Sequence, residues 1–126
     1  VLSRETSSGT HVFFKETVLN NQNFAPGILL MTSTKAIAQE IANNPNAIGY
    51  GGVAYFKNKR GVKICLVNGI EPTDANIRAM KYPISRYLYW YTAGKPKGDA
   101  AKLVAFALSP QGQQVVERVG YVSLSK

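Results

Sequence analysis

The chain has 126 residues, 45 % of them apolar and 17 % charged, which suits one ordinary domain with a buried core and excludes a disordered segment. Lys and Arg number 15 against 7 Asp and Glu, a formal net charge of +8, which favours anionic partners such as phosphate, nucleic acid or a membrane surface. No apolar run approaches the roughly 18–20 residues of a membrane-crossing helix, and the opening Val1-Leu2-Ser3 carries no secretory signal, as expected of a mature chain.

Val1 to Ser3 is extended in character but too short to be a strand of a self-contained sheet. Ser7-Ser8-Gly9-Thr10 then opens a helix over residues 9–19, with Phe14 and Val18 four apart. Asn20 to Gly27 is a loop ending in Pro26-Gly27. Ile28 to Met31 is a short strand. Ser33 or Thr34 caps a second helix, with Ile37 and Ile41 on one face and a stop at Asn43-Asn44-Pro45-Asn46. Ala47 to Phe56 reads as a strand weakened by Gly49, Gly51 and Gly52, glycines that imply close backbone approach or a bend. Lys57 to Gly61 is a turn. The densest basic cluster, Lys57, Lys59, Arg60 and Lys63, reads as a solvated turn or hinge.

Val62 to Val67 is apolar almost throughout, the pattern of a strand buried on both faces, with Cys65 as a small core residue. Asn68-Gly69 turns the chain, and Thr73 caps a short helix through Ile77 and Met80. Tyr87 to Tyr91 is an aromatic strand. It and Tyr50, Tyr55 and Tyr82 read as core or lobe packing rather than base stacking, with Arg86 among them in a structural role. After the loop Lys95 to Gly98, Asp99 begins a helix whose Leu103, Val104, Phe106, Ala107 and Leu108 need cover on more than one side. Ser109-Pro110 starts a last helix, which carries Val115, Val116 and Val119 and stops at Gly120. Strands alternate with helices, so the class is α/β.

Little in the chain supports catalysis. One cysteine excludes an internal disulfide. The single histidine, His11, cannot build a metal site with Cys65 and scattered carboxylates. A Ser-His-Asp triad would have to use His11, three residues from Ser8, and lacks a third member. There is no Walker loop, no GxGxxG and no group placed to activate water, so the expectation is a binding protein without a cofactor.

The chemistry lies in "SRETSSGTHVFF". The first N–H groups of a helix have no internal partners and carry the positive end of its dipole, which makes an anion site. Gly9 lets an anion reach the backbone, Ser8 and Thr10 add hydroxyl donors, and Arg4 adds a planar fork suited to two oxygens of a tetrahedral oxyanion. Plain capping beside a surface arginine is the competing account.

Arg4, Glu5, Ser7-Ser8-Gly9-Thr10 and the aromatic pair resemble the phosphate-binding proteins of phosphate ABC transporters, in the type 2 periplasmic binding protein superfamily. "NNPNAIGYGGVAYF", "GIEPTDANIRAMKYPISRYLYWYT" and "ALSPQGQQVVERVGYVSL" continue the likeness in order over nearly the whole chain. The family's loop begins with Gly where this chain has Ser7. The resemblance implies phosphate held by Arg4, by the Ser8 and Thr10 hydroxyls and by the Gly9 N–H. It also implies the α/β fold of part of a two-lobed protein, with mixed sheets flanked by helices. Residues 1–61 would be the later part of the second lobe, carrying the anion loop, and residues 62–126 the return segment completing the first lobe.

By the same resemblance the chain matches the C-terminal half of such a protein. The other lobe's hydroxyl loop and carboxylate would come from a complementary N-terminal half, failing which the chain would self-associate. A permease of an ABC importer and an extracytoplasmic location complete the expectation. Two other readings stand beside it: a regulatory or assembly module with this fold and no transport duty, and a basic nucleic-acid binder resting on charge and aromatics alone.

Overall fold

Leu2 and Ser3 sit in the interior of the computed structural model, which describes residues 1–124. They belong to strand β1, Leu2–Arg4, which pairs in parallel with β2, Leu29–Met31, in the register Leu2↔Leu29, Ser3↔Leu30 and Arg4↔Met31. On its other side Leu2 bridges Gly49 in parallel and donates its N–H to the Ile48 carbonyl at 2.8 Å. The opening segment therefore is a strand, short as it is, because it is held from both edges.

Each strand feeds a helix: β1 leads into α1, Gly9–Val18, and β2 into α2, Thr34–Asn43. Parallel strands put both helix N-termini at one edge of the sheet. The core behind that edge is Leu2, Ile37, Ala38 and Phe56, with Met31, Ile41, Ala47, Val62 and Ile64 packed around it. Ile37 and Ile41 share the inner face of α2 as their spacing predicts. These elements form one compact unit, Val1–Cys65; a second begins at Leu66.

Two expected strands of the first unit take other forms. Ala47 to Phe56 supplies the single bridge at Gly49 and then a 3₁₀ turn, Val53–Tyr55. The glycines explain why. A Cβ on Gly49 would lie 2.7 Å from Ile37 Cγ2, and one on Gly51 would overlap Thr34 Cγ2, so the backbone runs tight against α2. Turning there returns Phe56 to the core. Val62 to Val67 is not buried on both faces: Val62 and Ile64 turn inward, while Lys63, Cys65 and Leu66 are exposed. Among the described residues no strand pairs with this stretch, and Cys65 is not a core residue. Val67 makes only an antiparallel bridge to Ile70. The Asn68-Gly69 turn between them has left-handed φ at both residues, +52° and +76°.

The second unit holds α3 (Asp74–Arg78), α4 (Gly98–Leu108) and α5 (Pro110–Arg118). Ser109 accepts the Gly112 N–H as N-cap of α5, with Pro110 in the first position. A Cβ on Gly112 would overlap the Phe106 carbonyl oxygen and lie 2.8 Å from Ala107 Cα, so the sharp α4–α5 corner requires glycine. Arg78 donates Nε to the Ser123 carbonyl at 2.8 Å and Nη2 to Ser123 Oγ at 3.1 Å, which ties the end of the described chain to α3. On α4, Leu103, Phe106 and Leu108 remain more than half exposed.

Tyr87 to Tyr91 forms no strand among the described residues, and Tyr91 is 90 % exposed. Tyr50 and Tyr82 are buried, as packing in the core requires, while Tyr55, Tyr87, Tyr89, Trp90 and Tyr91 are exposed in this chain. An aromatic run becomes a buried strand only where a neighbouring strand accepts its backbone.

Candidate anion-binding site

Arg4 is the last residue of β1, and one turn carries the chain from it into α1, closed by Ser8 N–H donating to the Glu5 carbonyl at 2.9 Å. Ser8 is the N-cap: its backbone is extended, and its Oγ accepts the Thr10 N–H at 3.2 Å. The Ser8 hydroxyl proton remains to be donated elsewhere. Gly9 opens the helix onto empty space, since a Cβ there would meet nothing within 4 Å. Its N–H enters no hydrogen bond among the described residues. The first turn of α1 carries no acidic residue, so the positive end of the helix is not neutralised from within.

The second helix N-terminus meets the Arg4 side chain. Ser33 caps α2 by accepting the Ala36 N–H at 3.0 Å, the capping role its position predicts. Thr34, 6 % exposed, does something else: its Oγ1 accepts Arg4 Nη1 at 3.1 Å. The first turn of α2 also lacks an acid. Arg4 Nε is buried and has no hydrogen-bond partner. Having accepted from arginine, the Thr34 hydroxyl keeps its own proton to give. The arrangement offers a guanidinium, hydroxyl protons and a helix N–H, all donors, which is the chemistry for holding an oxyanion.

Arg4, Ser8, Gly9 and Thr10 thus lie along one strand–turn–helix connection, as their spacing predicts. Sequence reasoning missed Thr34 as Arg4's partner, and also a buried group behind Arg4. His11 does not face Ser8. Its Nδ1 lies 2.9 Å from the Arg4 carbonyl oxygen, 3.3 Å from Ser3 Oγ and 3.4 Å from Tyr50 Oη. Tyr50 Oη is 2.6 Å from Ser3 Oγ. His11, three residues past the cap, has a spacing that returns its side chain toward β1. Tyr50 is 46 positions from Arg4, and no local signal marks it.

The PBP superfamily domain model matches residues 1–111. A phosphate-binding protein PstS of Pseudomonas aeruginosa is 30 % identical over 132 residues, which cover 98 % of this chain and 41 % of that protein. A protein of the same name from Bacillus subtilis is 29 % identical over 126 residues, 99 % of this chain and 41 % of its own length. The crystal structure of PstS from Borrelia burgdorferi matches with a TM-score of 0.71 and 28 % identity over 99 % of this chain and 53 % of that one. A phosphate-binding protein of a phosphate ABC transporter from Streptococcus pneumoniae TIGR4 gives a TM-score of 0.74 at 22 % identity, a likeness of fold alone. This chain spans about two-fifths of the curated relatives it matches. On the family match and the α/β architecture together, the chain belongs to the PBP superfamily.

Proposed function

We propose that this chain binds inorganic phosphate as part of an extracytoplasmic binding protein that serves an ABC importer, without catalysing a reaction. The observation that carries the reading is Arg4: its Nη1 is tied to Thr34 while its buried Nε has no partner, beside a helix N-terminus opening on a bare glycine. A buried donor left unpaired costs about 1–3 kcal/mol, and an anion oxygen satisfies it. In this reading Arg4 is the charged clamp, Ser8 and Thr10 donate hydroxyl protons, and Gly9 donates its N–H. Phosphate-binding proteins named among the relatives support phosphate as the anion.

The lobe assignment belongs to the same proposal. Residues 1–61 carry the anion loop of the second lobe, and residues 62–126 are the return segment of the first. The remaining donors, including an acceptor for the proton of hydrogen phosphate, come from the part of such proteins that this chain does not span. A complementary N-terminal segment or a second copy covers the exposed Leu103, Phe106 and Leu108 of α4. A permease of the importer is the further partner.

The test is an amide chemical-shift titration with phosphate, sulfate and a short oligonucleotide at two salt concentrations. Phosphate should shift Gly9 and Thr10, saturating near millimolar, because a one-sided site nets only about 0.5–1.5 kcal/mol per hydrogen bond. Arg4→Ala should abolish the response. Unmoved Gly9 and Thr10 amides would remove the proposal. A tighter oligonucleotide complex that weakens steeply with salt would replace it with nucleic-acid binding.

A further inference from the structure

The hydrogen bonds behind Arg4 close into a ring that begins and ends on the Arg4 backbone. Leu2 and Arg4, two apart on β1, turn their peptide groups to the same side. Leu2 finds the Ile48 carbonyl there. At Arg4 a side chain takes over: Arg4 N–H donates to Tyr50 Oη at 3.4 Å. The Arg4 carbonyl can only accept, so His11 Nδ1, 2.9 Å away, donates to it. Tyr50, having accepted from Arg4, donates to Ser3 Oγ at 2.6 Å. Ser3 in turn donates to the Arg4 carbonyl at 3.2 Å. Every proton in the ring is placed, and both ends hold the same residue.

Aromatic packing fixes the two outer members. The Tyr50 ring stacks on Phe14, with centroids 4.0 Å apart and planes 11° from parallel. Phe24 covers the His11 ring at 4.7 Å. Ser3, His11 and Tyr50 are all buried.

We propose that Tyr50 and His11 are positioning residues for the anion site, holding the Arg4 peptide so that its guanidinium emerges in one orientation at Thr34. Arginine has a long side chain with much rotamer freedom, and a clamp set to the right geometry before binding leaves less to be lost on binding. Ser33 and the α1 cap hold the hydroxyls and N–H groups, while this ring holds the base of the charged arm. The proposal rests on the phosphate reading above.

Two measurements on the whole chain test it: the dissociation constant for inorganic phosphate, read at the Gly9 amide, and the ¹⁵N order parameter of Arg4 Nε–Hε. Tyr50→Phe keeps the stacked ring and removes the hydroxyl. It should weaken phosphate binding about fivefold, the scale of one lost hydrogen bond, and lower the Arg4 order parameter, with Leu2 and Ile37 amides unmoved. His11→Leu should do the same, and His11→Asn, which keeps a donor near Nδ1, should largely restore both. Ser3→Ala breaks the ring at its third member and replaces Tyr50→Phe should that variant fail to fold. Unchanged affinity in a folded Tyr50→Phe, or lost affinity with unchanged Arg4 order, overturns the positioning role and leaves phosphate binding standing. A wild-type chain whose Gly9 amide ignores phosphate overturns both, and does so before any variant is made.

Discussion

Arg4 Nη1 lies 3.1 Å from Thr34 Oγ1, a bond across 30 positions of sequence that ties the end of β1 to the first residue of α2. It brings the Arg4 side chain, which precedes α1, to the start of α2. Thr34→Val removes the acceptor at similar volume and leaves a second guanidinium nitrogen short of a partner. We expect a loss of about 1.5–3 kcal/mol, the range for hydrogen bonds to charged groups. Urea denaturation checks the stability, and phosphate titration of the same variant should show weaker binding at Gly9.

Gly51 stands behind the same residue. Its Cβ would overlap Thr34 Cγ2 and lie 2.9 Å from Phe56 Cε2, so Gly51→Ala must move either the site or the core. A destabilisation of about 1–3 kcal/mol is expected from overpacking. The Thr34 methyl resonance should shift by more than that of Ala38, and an unmoved Thr34 methyl would contradict the packing.

Ile37 is the centre of the first unit's small core and is 0 % exposed. Truncation to alanine should cost about 2–5 kcal/mol, the range for large-to-small core changes. In a core built on Leu2, Ile37, Ala38 and Phe56 that loss is large, and hydrogen exchange at Leu2 and Ala38 should accelerate with it.

Gly112→Ala tests the second unit by itself. The added Cβ overlaps the Phe106 carbonyl oxygen and crowds Ala107, so the corner between α4 and α5 must open. We expect a cost of about 1–3 kcal/mol from the forced backbone shift. The Gln113 Nε2 bond to the Ala107 carbonyl, 2.7 Å long, should be lost with it. The Gln113 side-chain amide resonances report that directly.

The features legible in the sequence were those that neighbours in the chain decide. Ser8, Ser33, Thr73 and Ser109 each accept an N–H two or three residues on, so their capping chemistry is local and sets helix starts with no help from the fold. The Arg4-to-Thr10 connection is equally local. The glycines at 49 and 51 signalled close approach but not what approached.

Tertiary structure alone decided the rest. A strand exists only where another strand accepts its N–H and C=O groups. So Leu2–Arg4 became one with two neighbours, while the more strand-like stretches at Val62 to Val67 and Tyr87 to Tyr91 did not. Cys65 is exposed, next to Ile64, which packs against the core. The partners of Arg4 came from parallel pairing: it brings α2 to the edge where α1 begins, and so brings Thr34 to the guanidinium. Tyr50 reaches the Arg4 peptide because Leu2 bridges Gly49 next to it. Local chemistry determined where hydroxyl and helix N–H donors gather, and long-range strand pairing determined what holds the Arg4 side chain.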